Sequence, residues 1–136
     1  MSALFIACAD GRVGPALAAL QEKEGATDAD RILVPGGPLV FTRPGMERRV
    51  ALDWVRTQID LHGIRTIYLV SHQGCSAYEH SLGGLGFDQQ ELLARDLQRV
   101  KALLENTFTD AEVRCFIIPW RENGEAPGFD EAEPVE

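Results

Sequence analysis

Four short, almost continuously apolar segments alternate along the chain with longer segments of helical periodicity. The apolar segments are rich in β-branched residues and span residues 4–7, 31–34, 66–71 and 113–118. Segments of this kind are typical of parallel strands that are covered on both faces of a sheet. We therefore predict four strands that lie in the interior of the protein.

The segments between these strands predict three helices, over residues 13–20, 50–59 and 92–104. Gly63 is placed to end the second helix, and Asp88 with Glu91 has the spacing of a capping box before the third. Regular alternation of strand and helix predicts an α/β fold, a three-layer αβα arrangement with a mainly parallel central sheet of about four strands.

The end of the chain differs in composition from the rest. Residues 1–121 carry the alternating pattern and form one predicted α/β domain, whereas residues 122–136 are acidic and contain several Gly and Pro. We predict that this last segment is a tail or an arm that lies on a neighbouring subunit. Within the domain, the glycine-rich residues 81–86 predict a loop.

Charge and cysteine content exclude several classes of function. The 136 residues include 21 Asp and Glu but 13 Lys and Arg, a net charge of −8, which argues against a broad surface for nucleic acid or anionic membranes. No apolar run approaches the roughly 18 residues of a membrane-spanning helix. Three cysteines are too few for a secreted disulfide framework, so we expect the protein in the reducing cytoplasm.

Residues whose side chains can bind a metal or take part in catalysis follow two of the predicted strands directly. The first strand is followed by Cys8-Ala9-Asp10-Gly11-Arg12, and the third by His72-Gln73-Gly74-Cys75. Ligands of open α/β sheets bind at the carboxyl ends of the strands, where the strand order reverses. If these two strands are neighbours, both segments face the same crevice.

Two cysteines and a histidine are a common ligand set for zinc, which prefers tetrahedral coordination by nitrogen and sulfur. His72 and Cys75 are three positions apart on one turn, which lets both face one ion together with Cys8. Water or the carboxylate of Asp10 is then left as the fourth ligand. Arg12 is placed to hold Asp10 away from the metal in a bidentate pair, which suggests an open and a closed state.

Each of these residues also has a simpler interpretation. Cys8 and Cys75 are small enough to pack as ordinary core residues, with His72 as a satisfied buried histidine. Asp10 precedes a predicted helix and is a suitable N-terminal cap, a role that does not exclude gating. Arg12 is a solvated surface residue on this interpretation.

Other notable residues receive no catalytic role from the pattern. Cys115 lies inside the fourth strand and is predicted to be in the core, and His62 ends a helix, where a cation suits the dipole. His80 is expected at the surface, with a proton shuttle as the alternative. Pro35-Gly36-Gly37-Pro38 predicts a turn first and a backbone N–H donor to substrate second.

The motif Cys8-x-Asp10-x-Arg12 followed by His72-x-x-Cys75 resembles the β-class carbonic anhydrases, and the likeness extends over most of the chain. It includes three further features: the apolar residues 67–70 before His72, the small residues after Cys75, and a last strand that ends in Pro119-Trp120 before an Asn123-Gly124 turn.

The resemblance implies a β-carbonic-anhydrase-like fold with a zinc ion on Cys8, His72 and Cys75, and with Asp10 and Arg12 as the gating dyad. It also implies a small-molecule substrate, CO2 and bicarbonate or a similar small electrophile, that is attacked by zinc-bound hydroxide. Members of this family build the substrate pocket at a subunit interface, so the resemblance further implies a homodimer or higher homo-oligomer.

Two departures from the family motivate a different hypothesis. Val34-Pro35-Gly36-Gly37-Pro38 replaces the usual Arg-Asn-Ala-Gly-Asn, and seven residues precede Cys8 where family members usually carry helices. The second hypothesis is therefore a catalytically silent zinc-binding relative that serves as a binding or regulatory module. A third is a metal-free hydrolase with Cys75 as nucleophile, activated by His72 or His80.

Overall fold

The computed structural model describes residues 2–81, 89–121 and 128–135 of the chain. Their strands are β1 (Ala3–Cys8), β2 (Asp30–Val34), β3 (Thr66–His72), β4 (Glu112–Ile118), β5 (Trp120–Arg121), β6 (Gly128–Phe129) and β7 (Glu133–Val135). Their α-helices are α1 (Gly14–Lys23), α2 (Met46–His62), α3 (Ser76–Ser81) and α4 (Gln89–Thr107), and short 3-10 helices cover Gly11–Val13 and Gly37–Phe41.

The central sheet has five strands in the order β2-β1-β3-β4-β7, and its first four strands are parallel. The prediction of an α/β fold with a mainly parallel sheet is confirmed. The additional strand is β7, which pairs antiparallel with β4, while β5 and β6 form a separate two-stranded ladder. β7 has the sequence Glu-Pro-Val, which lacks the apolar pattern of a buried strand, and its proline is tolerated at the sheet edge.

Two apolar cores cover the two faces of this sheet, because successive side chains of a strand point in opposite directions. Leu4 and Ile6 of β1 pack with residues of α2 and α4, and Phe5 packs with α1 on the other face. β2 lies at the edge of the sheet and none of its residues is buried, so the prediction that all four strands lie in the interior is wrong for β2. All residues of β1 and β3 are buried. The near-continuous apolar sequence of these strands thus reflects their cover by helices on both faces, which gives the predicted three layers.

The helices extend beyond the residues that their apolar patterns mark. Gly63 ends α2 with a left-handed φ of +62°, and its N–H donates to the carbonyl of Ile59, as its position after the apolar pattern predicts. The six-residue helix α3 was not predicted, because it is too short to show a helical period. Its last residue, Ser81, begins the segment predicted as a loop.

Several sequence-based predictions concern residues outside the described ranges. These are the rest of the predicted loop (residues 82–86), the capping position Asp88 and the Asn123-Gly124 turn.

The order of the strands places the reversal point between β1 and β3. β2 lies on one side of β1, whereas β3 and then β4 lie on the other, so the chain changes its direction across the sheet after β2. Connections leave the carboxyl ends of β1 and β3 on opposite sides and open a crevice there. β1 and β3 are thus neighbours in the sheet, which is the condition on which the predicted site depends.

Candidate metal centre

The carboxyl ends of β1 and β3 bring together the three residues that the sequence suggests as metal ligands. Cys8 ends β1, His72 ends β3, and Cys75 precedes α3 directly. The two sulfur atoms and a ring nitrogen of His72 all lie within 4.8 Å of one another. The three residues are 8%, 2% and 2% exposed, respectively, so this triad is shielded from bulk solvent.

The hydrogen bonds of His72 leave one ring nitrogen free for a ligand. Nδ1 donates to the backbone carbonyl of Gln73 at 2.7 Å, whereas Nε2 is buried and has no hydrogen-bond partner. An unpaired buried polar atom costs about 1–3 kcal/mol unless a partner is supplied. A metal-binding histidine has this arrangement, with one nitrogen fixed by a carbonyl and the other directed to the metal, so the triad fits a zinc ion.

The two sulfur atoms of the triad have opposite ionisation tendencies. The Cys75 thiol, and after it the His72 ring and the backbone N–H groups of Asp10 and Gly36, lowers the pKa of Cys8 to about 4. The Cys8 thiolate, together with burial, raises the pKa of Cys75. Cys8 is therefore the thiol of the pair that ionises first, and a divalent cation would supply the field that ionises Cys75.

The loop after β2 approaches Cys8 because it contains two glycines with positive φ. The N–H of Gly36 donates to the Cys8 sulfur at 3.3 Å. Gly37 has a φ of +55°, and a Cβ on it would lie 2.8 Å from the carbonyl carbon of Ala7 and 2.9 Å from the nitrogen of Cys8. The predicted turn is confirmed, and its Gly36 N–H stabilises the Cys8 sulfur rather than facing a substrate.

Asp10 and Arg12 form a bidentate ion pair beside the triad. Arg12 Nε donates to both carboxylate oxygens at 3.1 and 3.0 Å, and Nη2 donates to Oδ2 at 2.7 Å. The backbone N–H of Arg12 also donates to Asp10, which therefore caps the 3-10 helix Gly11–Val13. The Arg12 side chain, followed by this N–H, lowers the pKa of Asp10 to about 2, so the carboxylate is ionised at neutral pH.

The turn that joins His72 to Cys75 is held by hydrogen bonds that the sequence pattern did not indicate. Gly74 N–H donates to the side chain of Gln89 at 2.9 Å, and Gln73 donates to Gln90 at 2.6 Å. The Gln73 side chain also accepts from Trp120 N–H at 2.9 Å. Glutamines carry no motif of their own, so only the tertiary structure shows that α4 and β5 fix this turn.

Phe129 is a second residue near the triad that the sequence did not indicate. It lies in the segment predicted as a tail or arm, and its ring packs against the ring of His72. A single aromatic residue in a stretch of Gly, Pro and acidic residues gives no periodic signal.

A cavity of about 520 Å3 opens beside the triad, at the same end of the sheet. It adjoins the triad along the chain, because Pro35 precedes Gly36 and Ser76 follows Cys75. Its walls include both apolar and polar side chains, among them Leu39, Val40, Ala77, Arg43 and His80. None of the three triad residues lines this cavity, so it is a neighbouring space rather than an opening to the triad.

The remaining cysteine and histidines lie away from the triad or at the surface. Cys115 is 5% exposed within β4, which confirms the predicted core position, and burial raises its pKa to about 11. His62 ends α2 and pairs with Asp30 at 2.5 Å. His80 is exposed on α3 and lines the cavity.

The hypothesis of a metal-free hydrolase with Cys75 as nucleophile disagrees with this geometry. A cysteine nucleophile requires an accessible thiol of low pKa. Cys75 is 2% exposed, and its pKa is raised, because the thiol that ionises first in the pair is Cys8. The residue assigned to the attack is therefore the less suitable of the two.

Comparison with known proteins gives a likeness in structure. No family model and no curated protein sequence matches the chain. Among solved structures, the carbonic anhydrase from Glaciozyma antarctica is 14% identical with a TM-score of 0.59, over 98% of this chain and 81% of that one. The β-carbonic anhydrase CafD of Aspergillus fumigatus is 12% identical with a TM-score of 0.56, over 95% and 88%. At these identities the likeness shows the fold, which is that of the β-carbonic anhydrases.

Proposed function

We propose that this protein is a zinc-dependent lyase that hydrates CO2 reversibly to bicarbonate. The observation that carries this proposal is the buried triad of Cys8, His72 and Cys75, with its unpaired His72 Nε2, next to the Asp10–Arg12 ion pair. The fold shared with carbonic anhydrases supports the same reaction class.

The chain supplies a complete set of protein ligands for zinc. The two cysteine sulfurs would balance the charge of the ion, and His72 would contribute the nitrogen that now lacks a partner. When bound, zinc supplies the Lewis acidity that makes a water molecule nucleophilic near neutral pH. The carbonyl of Gln73 holds the His72 ring in the tautomer that this requires.

Asp10 is the residue that we assign to the orientation of the reacting water. Its pKa of about 2 keeps the carboxylate ionised, so it accepts a hydrogen bond and directs the oxygen of the water toward the substrate. Arg12 fixes Asp10 through three side-chain hydrogen bonds. A positioned carboxylate of this kind contributes about 100-fold or more to a rate.

The adjoining cavity suits an uncharged electrophile. Leu39, Val40 and Ala77 present apolar surface to a molecule such as CO2, whereas Arg43 is paired with Glu47, which also lines the cavity. The cavity thus offers apolar surface close along the chain to Cys75.

The test is zinc content combined with CO2 hydration kinetics on the wild-type protein and two aspartate variants. We expect about one zinc per chain, hydration above the buffer rate, and a loss of about 100-fold in Asp10→Ala with zinc retained. Asp30→Ala is the matched control, because Asp30 also contacts a basic side chain, that of His62, but lies at the start of β2. It is expected to keep its activity.

Three results would contradict the proposal in different ways. Zinc without hydration at any pH would favour the catalytically silent relative, which the altered loop at Gly36 and Gly37 already suggests. Unchanged turnover in Asp10→Ala would remove the role assigned to that carboxylate. Absence of zinc after reconstitution would contradict both the enzyme and its silent relative.

We further propose that the protein is a homodimer in the cytoplasm. One face of α2 exposes large apolar side chains at helical spacing, which are Met46, Val50, Trp54 and Leu61. A surface of this kind is typical of subunit contacts, and a monomer in sedimentation velocity would contradict this assignment.

The three buried free cysteines suit a reducing compartment, and no helix in the described ranges is long and apolar enough to span a membrane.

A further inference from the structure

We propose that Phe129 is a positioning residue of the metal centre, which holds the Arg12 guanidinium against Asp10 and so keeps this carboxylate from becoming the fourth metal ligand. This inference rests on the proposed metal centre, and it adds a residue from the C-terminal segment to it.

The ring of Phe129 contacts both parts of the centre, the ligand set and the ion pair. Its centroid lies 5.2 Å from that of His72, with the two rings at 88°, which is an edge-to-face arrangement. The Arg12 guanidinium carbon lies over the same ring, 5.4 Å from its centroid. Phe129 is thus placed between a metal ligand and the cation that fixes Asp10.

The backbone around Phe129 is held firmly enough to fix the position of this ring. Phe129 is opposite Trp120 in the β5–β6 ladder, and their side chains also meet edge to face at 5.0 Å. Asp130 N–H donates to the carbonyl of Pro119, and Arg121 pairs with both Asp130 and Glu133. Beyond this point, β7 is bound to the main sheet through β4.

Arg12 needs such a support because most of its side chain is in solvent. The side chain is 56% exposed, and an exposed ion pair by itself restrains a long, flexible cation only weakly. An aromatic face restricts the guanidinium further and leaves its N–H groups free for Asp10. Without this contact Arg12 gains freedom to leave Asp10, whose carboxylate then retains the hydrogen bond from the Arg12 backbone N–H.

The experiment uses cobalt-substituted protein and thiocyanate, an anion that binds where the fourth position is open. The visible absorption of the cobalt ion reports the coordination directly, independently of turnover. We expect Phe129→Leu to weaken thiocyanate binding by about threefold to tenfold, the range of an aromatic–cation contact. Phe129→Tyr retains the aromatic face and is expected to remain within about twofold of the wild type.

Phe108→Leu is the matched control for this comparison. Arg56 lies over the Phe108 ring at 5.0 Å, so this pair has the same type of contact, but Phe108 follows α4 at the opposite end of the sheet. We expect Phe108→Leu to bind cobalt and thiocyanate as the wild type does. In an Arg12→Ala background, Phe129→Leu is expected to have no further effect on thiocyanate binding, because the residue acts through Arg12.

The inference would be overturned if cobalt-loaded Phe129→Leu had the thiocyanate affinity and absorption spectrum of the wild type. It would also be overturned if Phe129→Leu weakened thiocyanate binding as much in the Arg12→Ala background as in the wild type. Loss of cobalt from Phe129→Leu but not from Phe129→Tyr would show instead that the ring supports His72, which also overturns it. A wild-type protein that binds cobalt and thiocyanate but does not hydrate CO2 would contradict the proposed function alone. A wild type that takes up no cobalt would contradict both.

Discussion

Two regions of the molecule bury cysteine to a similar extent, but the thiols there differ in their hydrogen bonds and in their pKa values. At the carboxyl ends of β1 and β3, Cys8 and Cys75 are 8% and 2% exposed, and inside β4 Cys115 is 5% exposed. The Cys115 thiol donates to the backbone carbonyl of Leu97, and burial raises its pKa to about 11. The Cys8 sulfur accepts from Gly36 N–H and interacts with Cys75, and its pKa is lowered to about 4.

At Cys8, hydrogen bonds outweigh burial and lower the pKa of the thiol, whereas at Cys115 burial dominates and raises it. Strands β1 and β3 end at the triad, so their neighbouring loops are free to direct N–H groups and ring nitrogens at the sulfur atoms. Residues in the middle of β4 have their backbone groups committed to the sheet. A thiol there is surrounded by apolar side chains, which disfavour its charged form.

The largest expected effect concerns metal binding. Structural zinc sites contribute roughly 10–16 kcal/mol in total, so loss of one thiolate in Cys8→Ser or Cys75→Ser is expected to weaken zinc binding by about 100-fold to 1000-fold. Cys115→Ser is expected to bind zinc as the wild type does. Competition with a chromophoric chelator measures all three affinities, and equal losses in the three variants would contradict the distinction between the regions.

A second effect concerns the loop that supplies the N–H donor to Cys8. Gly37→Ala is expected to reduce the free energy of unfolding of the metal-free protein by about 3 kcal/mol, because the new Cβ meets the backbone of β1 at a left-handed φ. Gly14→Ala is the control, since no atom lies within 4 Å of its Cβ position and its φ is helical. Urea unfolding measures both, and similar stabilities would show that the loop does not need to approach Cys8 so closely.

The smallest effect is the pH dependence of stability in the metal-free protein. Cys8 has a pKa of about 4 when folded and 9.0 ordinarily, so folding releases a proton between these values, and stability falls as the pH is lowered through this range. The expected slope is about 0.5–1 kcal/mol per pH unit, below that of a full proton because solvent screens part of the interaction.

Urea unfolding of the metal-free wild type and of Cys8→Ser between about pH 5 and pH 8 measures this slope. The slope is expected to disappear in Cys8→Ser and to persist in Cys115→Ser, whose thiol is neutral throughout this range. A slope that persists in Cys8→Ser and disappears in Cys115→Ser would reverse the comparison between the two regions.

Much of this fold was predictable because buried parallel strands have a distinctive sequence. The segments that became β1 and β3 are apolar throughout, since helices cover both of their faces. The short helix α3 and the edge strand β7 were not predictable from the same kind of pattern. Six residues are too few for a helical period, and Glu-Pro-Val shows no strand pattern.

The chemical groups of this centre and their place at strand ends follow from local sequence alone. Cys8 and His72 end their strands because the apolar segments end there, and this local fact required no knowledge of contacts. It also placed Asp10 and Arg12 two positions apart, close enough for their ion pair.

The distant groups that support this centre are brought to it by long-range packing. The pairing of β1 with β3 brings Cys8 within reach of His72 and Cys75, the loop after β2 delivers the Gly36 N–H, and the C-terminal segment delivers Phe129. These contacts depend on long-range packing, for which local periodicity carries no signal, because a strand or loop of given sequence can pack beside several partners.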